Sequence, residues 1–209
     1  MLRTLTSVVG SSIHAADGEI GHVRDLLFDD RNWVVRYLVV ETGSWLAGRR
    51  VLISPLAAQS ISLEGRSVHV TLTKDQIQGS PDINTDLPVS RQQEADLSAH
   101  FAWPAYWLAN PVGAPLIMAP PPMDTRGVDG DPNLRSVGEV TKYAVKATDG
   151  ELGHVSDLIL EDANWFIRFL VLKTGGWFAS QNLMLSTRWI GSISWAQREV
   201  LVPYTRDEL

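Results

Sequence analysis

The chain has 209 residues, a formal net charge of −6 and no cysteine. Disulfides, thiolate catalysis and Cys-based zinc or iron–sulfur centres are therefore excluded. A hydrophobic content of 44% with 20% charged residues is that of a globular protein, at a length that suits one large domain or two small ones. Residues 2–77 carry eight basic and eight acidic groups and residues 134–209 eight and nine, whereas 78–133 carry two and seven. Neither end has the Lys/Arg excess that phosphate neutralisation requires, so nucleic acid is not expected as a main partner.

The opening MLRTLTSVVGSS lacks the apolar core of a signal peptide, which leads to an expected cytoplasmic location. SSIHAA, IGHVRDLLF, WVVRYLVVETG, RRVLIS, SISLEG and RSVHVTL follow as short runs between Gly, Pro, Asp and Ser clusters. These six predicted strands have the spacing of a small barrel or sandwich, closed by a short turn or helix at LTKDQI. If Phe28 faces Trp33 across the loop 29–32, the antiparallel register sets Asp25 opposite Arg36. That pair reads as an interstrand salt bridge that fixes register. One face of the hairpin then carries Ile20, Leu26, Phe28, Trp33, Val35, Tyr37 and Val39, and the other Val23, Leu27, Val34, Leu38 and Val40. Both faces are apolar, so something besides the barrel interior has to cover one of them.

Residues 78–133 form an acidic connection. Ser90 and Gln93 have capping-box spacing, and Leu97 and Phe101 lie four apart, which predicts a short helix near 91–102. Trp103, Tyr106 and Trp107 follow among prolines. The uncharged stretch 104–122 holds six prolines, which argues against a membrane span. The rest of the connection reads as extended linker.

From residue 134 the sequence repeats itself. DGEIGHVRDLLFDD at 17–30 returns as DGELGHVSDLILED at 149–162, and the match runs without a gap from Leu2/Leu134 to Ile77/Leu209. Half of the positions from Asp17 to Ser54 are identical to their counterparts 132 residues on. The same register sets Asp157 opposite Arg168. Two copies are too few for a solenoid, so two small all-β domains are expected, at 2–77 and 134–209.

No catalytic motif emerges. His22 and His154 occupy equivalent positions, but no further ligands are spaced to complete a metal site, and partly buried, hydrogen-bonded histidines are expected. Gly43 and Gly175 precede Trp45 and Trp177 without the lysine or βα context of a phosphate loop. No metal, cofactor or catalytic residue is assigned, and no enzymatic activity is expected. The aromatic residues Trp45, Trp103, Tyr106, Trp107 and Trp177 are the candidates for contact, within the chain or with a partner.

The Gly-Glu-Ile-Gly-His-Val-x-Asp-Leu start, the Arg-Tyr-Leu-Val-Val strand and the Val-Leu-Ile-Ser-Pro end resemble a PRC-barrel domain. That family includes the cytoplasmic domain of the photosynthetic reaction centre H subunit and the C-terminal domain of the RimM-type ribosome maturation factor. The second copy resembles it through GELGHVSDL, RFLVL and LMLS. The resemblance implies two six-stranded antiparallel barrels, joined by a helix-containing linker and used for docking onto other proteins. A membrane-associated or photosynthetic-type assembly is the implied setting. The alternatives are a ribosome assembly or RNA-processing factor and a small-molecule sensor with an inter-barrel pocket. The two copies are expected to pack as a pseudo-dimer that buries Val23, Leu27, Leu38 and Val40 against Val155, Ile159, Leu170 and Leu172. The Trp103–Trp107 segment is the other candidate cover for that face.

Overall fold

The computed structural model describes residues 1–62, 64–81, 89–106, 133–174 and 181–209. The first half runs β1 (Leu2–Thr4), α1 (Leu5–Val8), β2 (Ser12–Ala15), β3 (Gly18–Asp29), β4 (Val34–Thr42), β5 (Arg50–Ile53), β6 (Ala58–Ser62), β7 (Ser67–Val70) and α2 (Lys74–Gln78). Helix α3 spans Arg91–Phe101. The second half runs β8 (Leu134–Ser136), α4 (Val137–Val140), β9 (Ala144–Ala147), β10 (Gly150–Glu161), β11 (Phe166–Thr174), β12 (Gln181–Ser186), β13 (Ser192–Ser194) and β14 (Glu199–Leu201). All six strands expected in the first half are present. The short β1 and β8, which carry no period long enough to read, are additional.

Among the described residues the strands form one connected sheet instead of two closed antiparallel barrels. Within the first half the order is β5-β4-β3-β2-β7-β6, and the second half repeats it as β12-β11-β10-β9-β14-β13. The β2–β7 and β9–β14 pairs are parallel. No pairing of β5 with β6, or of β12 with β13, closes either half among the described residues.

The halves are linked by exchange. β1 pairs with β10 of the second half, Leu2 opposite Glu161, and β8 pairs with β3 of the first, Asp29 opposite Leu134. The hairpin ends meet as well: Val35 N–H donates to the Trp165 carbonyl at 2.9 Å and Ile167 N–H to the Trp33 carbonyl at 2.7 Å. Two arginines reinforce the exchange at equivalent places. Arg3 donates to Asp162 at 2.8 Å and Arg135 to Asp30 at 2.7 Å. The two closed barrels expected are not seen among the described residues; each half's first strand pairs instead with the long hairpin of the other.

Both hairpins carry two β-bulges, and these overturn the simple register. Val23 faces Val40, but Asp25 faces Val39; Leu27 faces Tyr37, but Phe28 faces Val35. Arg24 and Arg36 are the extra residues. The second half bulges at the same places, around Ser156 and Arg168. A bulge moves every later side chain to the opposite face. Ile20, Val23, Leu26, Phe28, Val35, Leu38 and Val40 therefore all enter one buried cluster, which continues into Val155, Leu158, Leu160, Leu170 and Leu172. Of the eight residues expected between the copies, six lie in this shared core, while Leu27 and Ile159 point to the other side. Each large side chain buried there contributes about 1.5–3 kcal/mol.

Candidate interaction surface

The repeated motif is spent on structure. A Cβ added at Gly21 would lie 2.1 Å from the Glu41 carbonyl oxygen, and one at Gly153 would lie 2.1 Å from that of Lys173; both backbones have positive φ. Only glycine permits so close an approach of the two hairpin strands. Asp17 accepts the Lys74 N–H at the start of α2, and Asp149 accepts the Arg206 N–H, each at 2.9 Å.

Asp25 and Asp157 do not pair with Arg36 and Arg168. Asp25 accepts from the Ser136 hydroxyl and from Gly138 N–H at 3.0 Å, and so holds the start of α4 in the other half. Asp157 accepts the Thr6 hydroxyl and Thr6 N–H, and holds α1 in the same way. Free N–H groups in the first turn of a helix favour a carboxylate there. The arginines, displaced by the second bulge, turn elsewhere: Arg36 lies 3.8 Å from Asp29, and Arg168 donates to Glu161 at 2.7 Å. The physical reason is the inserted residue, which separates the pair that an unbulged ladder would have set opposite.

The outer face of the first hairpin carries Leu27, Tyr37, Val39 and, from β5, Leu52. Helix α3 covers it. Ser90 and Gln93 form the expected capping box, and Glu94, Leu97 and Phe101 share one side of the helix by their three- and four-residue spacing. Leu97 and Val89 pack with Tyr37, Val39 and Leu52 in a second buried cluster, which Leu27, Phe101, Tyr106 and Leu134 border.

A polar network pins the helix. Glu94 is fully buried; it accepts from Arg91 at 2.7 Å and from the Tyr106 hydroxyl at 2.6 Å. Tyr37 also donates to it. Burial, then the neighbouring Glu94 charge, pushes the Tyr37 phenol well above its ordinary range. The Arg36 guanidinium lies 3.9 Å from the centre of the Tyr106 ring, and burial draws its pKa down. A buried carboxylate is tolerable when several donors converge on it, as they do here. Sequence reasoning missed Glu94; its place on the Leu97/Phe101 stripe was the available signal.

The candidate aromatic residues divide. Trp45 donates its indole N–H to the Ile20 carbonyl at 2.7 Å and packs on the main core. Trp103 stacks on Phe101 with ring centres 4.3 Å apart. Tyr106 joins the Glu94 network. Trp107 and Trp177 lie outside the described residues. His22 and His154 are both exposed, not partly buried, because they sit on the outward side at the strand start. Among the described residues no group of three or more His, Asp or Glu is placed to hold a metal ion. A recess of about 350 Å³ is lined by Lys146, Thr148, Ser192, Leu201 and Pro203, all in the second half, and Lys146 is paired with Glu199 at 2.5 Å. Among the described residues no helix is long and apolar enough to cross a membrane.

Comparison with known families places the first half. Residues 3–77 match the model of the PRC-barrel domain. The β-rich architecture of that half agrees with the match, and PRC-barrel domains are in general interaction and assembly folds. No curated protein matches the chain.

Proposed function

We propose that the chain is a non-catalytic protein-interaction and assembly module. In this reading 2–77 and 134–209 are PRC-type domains, 78–133 is their connection, and the repeat makes a fused pseudo-dimer. The observation that carries it is the use of the repeated polar residues. Asp17, Asp25, Asp149 and Asp157 are each engaged by backbone or side-chain donors at helical turns, which supports a structural use of the repeated carboxylates. The balanced charge of both halves weighs against an RNA-processing role. In this reading the protein works in the cytoplasm, docked to a larger complex at the membrane periphery. Affinity capture of the full chain with cross-linking in native cell extract tests the proposal. One or a few partners cross-linked in stoichiometric yield are expected; recovery of the chain with bound RNA or a tightly held small molecule would sink it.

A further inference from the structure

The face that α3 covers in the first half has an equivalent in the second that no helix covers among the described residues. Shifted by 132 residues, Leu134, Leu27, Tyr37, Val39 and Leu52 become Leu2, Ile159, Phe169, Val171 and Met184. The pairings keep the five together: Ile159 faces Phe169, Val171 faces Met184, and β1 lies alongside β10. Yet Leu52 is 0% exposed and Met184 59%, while Leu2 is 56% exposed and Ile159, Phe169 and Val171 are half-buried. Contiguous apolar exposure of this kind marks a surface that binds something.

We infer that this face docks an amphipathic helix of a partner protein, seated as α3 is seated on the first half. The inference rests on the assembly reading and names the surface and the chemistry of the partner. The helix-on-sheet contact already present in the chain supplies the template, since two of the five positions are identical and two differ only by conservative apolar exchange. The fifth tells what the partner helix lacks: Phe169 replaces Tyr37 and has no hydroxyl for a buried carboxylate, so the Glu94 position is apolar in the partner. Charge sets one end. Lys173, exposed, lies two residues beyond Val171 on the same side of β11 and has no ion pair among the described residues, so it calls for an acidic side chain there. A second copy of the chain has little to offer, because α3 is the longest helix among the described residues and is already engaged.

The absence of cysteine gives a direct test. Met184→Cys in the full chain is a unique, exposed thiol, and its maleimide alkylation rate reports cover on this face. The probe is a synthetic peptide of residues 89–106 carrying Glu94→Leu. At ten times its Kd the peptide slows alkylation about tenfold. The native-sequence peptide protects less, and Leu56→Cys, exposed elsewhere, is unaffected. Adding Phe169→Asp abolishes the protection. No slowing with the peptide at millimolar concentration overturns the inference. So does protection in the peptide-free monomer, which would make another segment of the chain the occupant. Protection that rises with protein concentration alongside dimer mass overturns it in favour of a second copy. Capture of a partner that leaves Met184→Cys unprotected sinks this inference and leaves the assembly reading standing.

Discussion

Tyr37 and Val39 on one strand, and Phe169 and Val171 on its repeat, are built into the same bulged hairpin. They live in different surroundings. The first pair is closed under α3 and a buried Arg–Glu–Tyr network, whereas the second is half open to solvent. The two halves share everything that holds the sheet together: the close glycines, the aspartates that grip the opposite helical turn, the exchanged strands. They differ in what lies over the sheet. A repeat constrained by its own architecture keeps the framework residues and frees the outer face to diverge, so the differences between the halves point to use and the identities to folding.

The sharpest way to break this comparison is to truncate equivalent side chains. Leu52→Ala is expected to cost about 2–5 kcal/mol, because it leaves a cavity under α3. Met184→Ala, at the matching place, is expected to stay within about 0.5 kcal/mol. Urea unfolding of the two variants measures the difference; equal losses would mean that the second face is covered after all. The framework predicts the opposite pattern. Asp25→Ala and Asp157→Ala should each cost about 1 kcal/mol, and by similar amounts, since each removes the carboxylate at the start of a helical turn in the other half. A large asymmetry would show that the exchange is not reciprocal in energy.

The smallest effect is one of pH, and it has opposite signs in the two halves. Burial raises the Asp30 pKa despite Arg135, whereas the chain's amino terminus and Arg3 lower that of Asp162. The stabilisation from Asp162 is complete above the ordinary Asp pKa and is lost as pH falls through its depressed folded value. Asp30 behaves the other way. Its relative stabilisation is present below the ordinary value and is lost as pH rises through its raised folded value. Carboxyl titration by NMR should find the two on opposite sides of the ordinary Asp value, and Asp30→Asn should raise stability at neutral pH relative to Asp162→Asn.

Much of this was legible in the residues. Hydrophobic runs between turn residues marked six strands in the first half, the Ser90/Gln93 spacing marked α3, and the repeat marked two equivalent halves. The expected Asp25–Arg36 and Asp157–Arg168 pairs do not form, because the bulges that displace them, at Arg24 and Arg36 and at Ser156 and Arg168, insert residues that also suit a strand and leave no compositional signature. The symptom was visible, though: both hairpin faces looked apolar. The bulges at Arg24 and Arg36 resolve that by bringing Val23, Leu26, Phe28, Val35 and Leu38 to one side. The cover for the remaining face came from α3, which period alone could not assign to either half. The role of Glu94 depended on Tyr37, Arg91 and Tyr106 converging from three segments, which no local window contains.

The exchange of β1 and β8 also sets an order of assembly. Leu2 finds its partner at Glu161, and Asp29 finds its own at Leu134, so neither hairpin has its edge strand until most of the chain has been made. Contacts this distant in sequence close slowly, and an unpaired strand edge is open to the wrong neighbour while it waits. During synthesis the first half must hold β3 ready without β8, and β1 has no place of its own to go. Between two chains the same vacancy would be filled by reciprocal trading of first strands. Within one chain, the tether at 78–133 keeps that trade in the family.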